Sequence, residues 1–450
     1  MANGAVGIEE AAAAGRTRRR VVVVGGGFAG INAAQALSDL PVDVTLVDRK
    51  NYHTFQPLLY QVALAVLSPA DIAQPIRSIL RDHPNIEVLM DEAIGFDLEQ
   101  KHVRLKAGTV LVYDYLILAT GSTHSYFGHE EWATLAPGLK TVEDATEIRR
   151  RVLLAFELAE RQMLEYGTHP PLKFVIVGGG PTGVELAGSI SDIARLYMRN
   201  NFRHINTKEA KVLILEGSPH ILGMYPDDLQ QMARKQLEAL GVELRTGAVV
   251  TDIQPGYVMV GQERIDAVVT LWAAGVQASP LGKLLGVETD KKGCVMVDGY
   301  LNPKGHPEIF VCGDLAHVEE NGRLLPGVAQ PAMQMGTYAA KRIGMLVGRE
   351  AGSEGTATKP FHYFDKGDMA TIGRKAAVAK IVWPFKAHWH GFMAWLAWLL
   401  VHIYFLIGFR NRLGVFRQWA WTYLTLQDGA RLITGSQDLP GWQHNATDKN

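Results

Sequence analysis

The chain has 450 residues, with 45 Lys or Arg against 46 Asp or Glu, a formal net charge of −1 and 47% hydrophobic residues. That length allows two or three domains with substantial cores, and the near-neutral balance does not make the chain as a whole a polyanion binder. The two cysteines, Cys294 and Cys312, form neither CxxC nor CxxxxC, which argues against a disulfide framework and against any metal site built on them.

Residues 1–20 are small and polar, then basic, with no apolar core of seven or more. They predict a disordered leader and not a signal peptide. A β-branched run from Val21 then meets Gly25, Gly27 and Gly30, and an Ala-rich helix pattern follows. In such a loop the first glycine allows the turn off the strand. The second admits a pyrophosphate, and the third lets the helix start close to the strand, with its free N–H groups facing the phosphates. The fingerprint needs an acid roughly 20 residues on, and Asp48 ends the next apolar run. Asp114 to Gly121 predicts a further strand, ending in Ala-Thr120-Gly121.

About 150 residues after the first loop the pattern recurs, as Phe174 to Val177, Gly178, Gly180 and Gly183. Its acid is Glu216, delayed by the polar stretch from Arg199 to Lys208. No Arg or Lys follows Glu216 closely, so NADH is expected over NADPH. Asp266 to Gly275 is a strand placed like Asp114 to Gly121, and Ile309 to Asp314 is a strand stopping at Gly313-Asp314. One loop of this kind is a weak signal. Two, each with strand, helix and acid, point to an α/β chain of two Rossmann-like dinucleotide domains, most simply for a flavin and a nicotinamide. The duplicated loops are the only internal echo visible.

From about Lys380 the composition changes. Six of nine tryptophans lie between Trp383 and Trp421, and 391–409 contains no Asp, Glu, Lys or Arg. Between 380 and 435 stand six Lys or Arg and one acid, Asp428. Three readings stay open: a helix lying in a membrane interface, a span at the margin of the required length, and a buried helix or dimer contact in a soluble protein.

On these motifs the chain resembles the type II NADH:quinone oxidoreductases, close to actinobacterial members in the tail. The resemblance runs from Val21 to about Gly435. Its most specific segment is Gly327-Val-Ala329-Gln330-Pro-Ala-Met-Gln334-Met-Gly336. The family resemblance implies that Gln330 and Gln334 lie beside the isoalloxazine and the quinone, that Glu185 in the 178–185 motif lies near the nicotinamide, and that 51–58 lines the flavin. It also implies FAD, a homodimer, and amphipathic C-terminal helices on the lipid surface, at the cytoplasmic face of a bacterial inner membrane.

The expected FAD residues are Gly25, Gly27, Phe28, Ala29, Gly30, Asp48, Arg49, Thr120, Gly121, Gly313, Asp314, Ala329 and Gln330. Those for NADH are Gly178, Gly180, Pro181, Thr182, Gly183, Glu185, Glu216 and Gly275. Residues 21–165 and 280–345 form the expected FAD domain, 166–280 the NADH domain, and 346–450 the membrane, quinone and dimer region. Glutamine amides can donate to quinone oxygens without adding charge. Taken alone, Gln330 and Gln334 are equally an ordinary helix start, and Glu185 equally an acid favoured by a helix N-terminus. A sulfide:quinone oxidoreductase would need redox sulfur at the flavin, where only Cys312 qualifies and 51–63 has none. An NADH-sensing flavoprotein without turnover is the third reading.

Overall fold

The computed structural model describes residues 18–350, 359–425 and 430–442. Residues 1–17, 351–358, 426–429 (Asp428 among them) and the last eight lie outside them. The chain divides into two compact units: 1–53, 74–123 and 277–364 in the first, and 54–73, 124–276 and 365–450 in the second.

The first unit opens with β1 (Arg19–Val24), α1 (Phe28–Leu37) and β2 (Val42–Asp48). The chain leaves it for 54–73, where α2 (Leu59–Ala63) lies, and returns in β3 (Ile86–Met90). A three-stranded antiparallel meander at 93–112 follows, then β4 (Tyr115–Leu118). All four residues of Val21–Val24 are buried, as a parallel strand covered on both faces requires.

The second unit begins its core with α3 (Val142–Tyr166). Its N-terminus is a reciprocal capping box, Thr141 Oγ1 accepting from the Asp144 N–H at 3.1 Å and Asp144 from the Thr141 N–H at 2.9 Å. Then come β5 (Lys173–Val177), α4 (Pro181–Asp192), β6 (Lys211–Glu216), β7 (Val242–Thr246), a second meander at 250–266 and β8 (Val269–Trp272). The sheet order is β7-β6-β5-β8, all parallel.

The first unit is completed by β9 (Ile309–Val311) and α5 (Ala329–Glu350), giving β9-β4-β1-β2-β3. The echo between the halves therefore extends beyond the loops. Each half sets a meander between its third and fourth parallel strands, and each meander has a register irregularity in its first strand pair. Sequence reading missed this because short, half-buried strands with ordinary turns carry no distinctive residue.

The tail is packed within the second unit, not set apart as a body of its own. Strands β10 (Gly367–Ile372), β11 (Ala376–Ile381) and β12 (Ala387–His390) form an antiparallel sheet. Ala394 and Trp398 of α6 (Gly391–Phe405) are buried, and Ala394 joins Ala377 and Ala379 in one cluster. At 15 residues α6 is about 22 Å long, against roughly 30 Å of hydrocarbon. Among the described residues no helix is long and apolar enough to cross a membrane. His402, the polar exception in the apolar run, donates from Nδ1 to the Trp398 carbonyl at 2.7 Å, and burial pushes its pKa down to about 4. Helix α7 (Phe409–Thr425) buries Val415, Trp419 and Thr422 and exposes Leu413, Phe416, Trp421 and Leu424. The end of the tail is held to α3 by Arg150, which donates to the carbonyls of Ser436 at 2.8 Å and Asp438 at 2.7 Å.

Candidate active site

The strand order reverses between β1 and β4 in one unit and between β5 and β8 in the other, and both glycine loops sit at these points, where open α/β sheets take their ligands. Gly25 has φ +106° and Gly178 +109°. A Cβ on Gly25 would stand 2.4 Å from the Ala119 carbonyl oxygen, and one on Gly178 2.5 Å from Ala273. On Gly30 it would meet Gly25 O at 1.8 Å, and on Gly183 Gly178 O at 2.0 Å. The middle glycines differ. Among the described residues nothing lies within 4 Å of a Cβ on Gly180, and one on Gly27 meets only Ala119 O at 4.0 Å. The protein's own packing among the described residues does not require glycine at either position.

The acids behave alike despite their different lengths. Asp48 accepts the Gly26 N–H at 2.6 Å and the Lys50 N–H at 2.7 Å. Glu216 accepts the Gly179 N–H at 2.6 Å and the Ser218 N–H at 2.7 Å. Each carboxylate holds its loop and keeps further lone pairs for a ligand hydroxyl. The first intrahelical bonds run from Ile31 N–H to Gly27 O and from Val184 N–H to Gly180 O. The amides of Ala29 and Gly30, and of Thr182 and Gly183, thus stand ahead of the helical ladder, as an anion site needs. Pro181 has no N–H to contribute.

Around the first loop, Ser122 Oγ donates to Asp314 Oδ2 at 2.6 Å, and the Gly313 N–H to Met335 Sδ at 3.2 Å. The Gly121 carbonyl accepts the Ser279 N–H at 3.0 Å, and Arg49 is exposed. The Thr120 hydroxyl is buried with no partner among the described residues. Helix α5 reaches the loop because it is small-faced: a Cβ on Gly336 would lie 2.1 Å from Ala29 O. Ala329 and Gln330 begin this helix.

The amide of Gln334 is held by Phe364 on both sides. Its Nε2 donates to the Phe364 carbonyl at 3.0 Å, and its Oε1 accepts the Phe364 N–H at 2.9 Å.

His53 was not among the expected site residues. It is 2% exposed, and Nδ1 lies 2.9 Å from Gly26 O. A carbonyl only accepts, so Nδ1 carries the proton and Nε2 is an acceptor, buried with no partner among the described residues. Burial lowers its pKa, so the ring is neutral at pH 7. The segment around it was recognised, but one histidine in a loop gives no signal of burial.

In the second unit, Gly275 accepts the Ser125 N–H at 3.1 Å. Glu185 lies one turn into α4. Burial pushes its pKa up to about 8 against a bond from the Thr371 N–H, at 3.4 Å.

The pyridine nucleotide-disulphide oxidoreductase family model matches residues 19–336. The type II NADH:quinone oxidoreductase NdhA of Mycobacterium tuberculosis is 42% identical over 421 residues, 91% of this chain and 88% of that protein. This chain belongs to the type II NADH:quinone oxidoreductases. The structure of NDH2 from Plasmodium falciparum in complex with NADH superposes with a TM-score of 0.79 over 93% of this chain and all of that one, at 19% identity. The sulfide:quinone oxidoreductase of Aquifex aeolicus has the same fold at a TM-score of 0.69 over 90% of this chain and 95% of that one, at 18% identity. The same fold thus occurs in enzymes of other chemistry, and fold alone does not fix the reaction.

Proposed function

We propose that the chain is an NADH dehydrogenase that holds FAD on the first loop, takes NADH on the second, and passes two electrons to a membrane quinone without pumping protons. The observation carrying this reading is the pair of matched glycine cradles, each open at its middle glycine. When bound, FAD supplies the redox chemistry, a two-electron link between nicotinamide and quinone.

The chain's own residues bind and orient. Asp48, with the loop from Gly25 to Gly30, seats the FAD pyrophosphate and ribose. Asp314, fixed by Ser122, faces the ribityl chain, and Thr120 and His53 present a buried hydroxyl and a buried acceptor. Glu216 faces the NADH ribose and disfavours a 2′-phosphate, and Glu185 stands near the nicotinamide. Gln330 is the quinone-side amide. Gln334 lies one turn further along α5, its amide bonded to the Phe364 backbone. Gln330→Leu should slow flavin reoxidation by quinone, with roughly 0.5–1.5 kcal/mol of binding lost, and leave flavin reduction by NADH nearly unchanged. Equal slowing of both half-reactions would remove the assignment.

A sulfide:quinone oxidoreductase requires reactive thiolates. Burial pushes the pKa of Cys312 far up, and burial with the Asp290 carboxylate pushes Cys294 up to about 11. Reactive cysteines have the opposite shift. Anaerobic mixing separates the readings: NADH should bleach the flavin and a soluble quinone restore it. Bleaching by sulfide, or a stable NADH complex without reoxidation, would replace this reading.

The tail is proposed to lie on the lipid surface at the cytoplasmic face of a bacterial inner membrane, with the protein a homodimer as the family resemblance implies. Support comes from the exposed Phe392, Leu400, Tyr404, Phe416 and Leu424, interleaved with exposed Arg412 and Arg417. Basic residues near anionic lipid each add about 1 kcal/mol. Phe416→Gln with Leu424→Gln should release the full chain from anionic vesicles while flavin reduction by NADH persists. Undiminished co-sedimentation at high salt would exclude this face as the anchor.

A further inference from the structure

Glu185 is connected to the C-terminal helix by a chain of hydrogen bonds within the second unit. Its carboxyl accepts the Thr371 N–H of β10 at 3.4 Å. The Thr371 hydroxyl and the Tyr60 phenol, on α2, are bonded at 2.9 Å. Gln61 Nε2 donates to the Tyr60 oxygen at 3.0 Å, and Trp419 Nε1 on α7 donates to Gln61 Oε1 at 2.6 Å. An indole N–H only donates. That fixes the Gln61 amide and makes the Tyr60 oxygen its acceptor, and the same oxygen accepts from the Thr371 hydroxyl. Thr371, Tyr60 and Gln61 are 2%, 6% and 7% exposed, so the three bonds from Thr371 to Trp419 are buried, while the one to Glu185 is partly buried.

We propose that Tyr60 is a positioning residue for Glu185: through Thr371 it holds the backbone N–H that the carboxyl accepts, and Gln61 and Trp419 lock it in place from α7. Its bearing on the reaction rests on the reading that Glu185 stands near the nicotinamide. The seating of α7, far along the chain, thereby sets the proton affinity of an acid at the second loop.

Among the described residues, the phenols of Tyr60 and Tyr225 face Glu185. Both are held well above their usual range, chiefly by burial and in part by this carboxyl. Asp368 acts on Tyr225, and Asp192, pushed up to about 6 by burial, lies further along α4. The Thr371 N–H is the bond that favours the ionised form of Glu185, so loosening it raises the pKa.

The test uses the full-length flavoprotein without NADH. An infrared pH titration follows the carboxylic-acid band that Glu185→Gln removes. Tyr60→Phe should move its midpoint upward by about 0.5 pH or more, and Trp419→Phe should move it the same way by less. Thr371→Val gives an independent arm should Tyr60→Phe fold poorly. A midpoint unmoved in all three overturns the proposal. Stopped-flow reduction of the flavin by NADH, across pH, tests the link to catalysis. Tyr60→Phe should shift the profile in the wild-type background and add nothing to Glu185→Gln. Additive losses overturn the proposal. If the infrared midpoint moves but Glu185→Gln leaves NADH reduction unchanged, the link from Tyr60 to Glu185 stands and the placement of Glu185 at the nicotinamide fails.

Discussion

The two dinucleotide loops share a backbone and differ in what surrounds them. Both have a left-handed first glycine, a third glycine with no room for a methyl, and an acid bonded to the intervening amide at 2.6 Å. The first has a neutral buried histidine beneath it and a small-faced helix, α5, against Ala29. The second starts its helix with Pro181 and carries Glu185 one turn on, where the tail sheet approaches so closely that a Cβ on Gly188 would stand 2.4 Å from the Gly373 nitrogen. The duplication fixes the backbone of each loop, and the neighbours that distant segments bring make the two surroundings differ.

The largest effect expected from this comparison is at the third glycine. Gly30→Ala and Gly183→Ala both press a methyl on backbone, costing about 1–3 kcal/mol. Gly30→Ala should release flavin on purification. Gly183→Ala should keep flavin, measured by absorbance per chain, and weaken NADH binding by about tenfold to a hundredfold. Loss of flavin in both variants would erase the functional distinction between the loops.

A smaller effect concerns the acid that only the second unit has. The carboxyl of Glu185 is held at about 8 from a usual 4.5. Between these values the unfolded chain has released the proton and the folded one has not, so stability falls as pH rises from about 4.5 to 8. Glu185→Gln should flatten that part of the decline. Its melting temperature should match wild type near pH 4.5 and exceed it increasingly toward pH 8. Parallel curves across this range would place Glu185 in solvent.

The smallest effect sharpens the likeness of the two acids. Glu216→Gln and Asp48→Asn each replace one charged acceptor of a loop N–H by a neutral one. Each should weaken its own nucleotide by about 1 kcal/mol, Glu216→Gln also narrowing the preference for NADH over NADPH. Equal use of both cofactors by the unmodified chain would displace Glu216 from the ribose.

Much of this was legible in the residues because it is local. A β-branched run, three glycines at fixed spacing and an acid at the next strand end demand one backbone path, and the order of Ala-Thr-Gly and Gly-Asp strand ends places the rest of the first sheet. The tail's Trp-rich, acid-poor composition was equally plain. What the tertiary structure alone decided depends on contacts between segments hundreds of residues apart. Spacing places Gln334 on α5, but only the approach of Phe364 occupies its amide. Sequence marks His53 as one histidine among fifteen, and only burial makes it neutral with an acceptor left over. Nothing near Glu185 in the chain raises its pKa. Tyr60, Thr371 and Trp419 come from three distant stretches, and desolvation depends on everything that packs around a group, which no local pattern encodes.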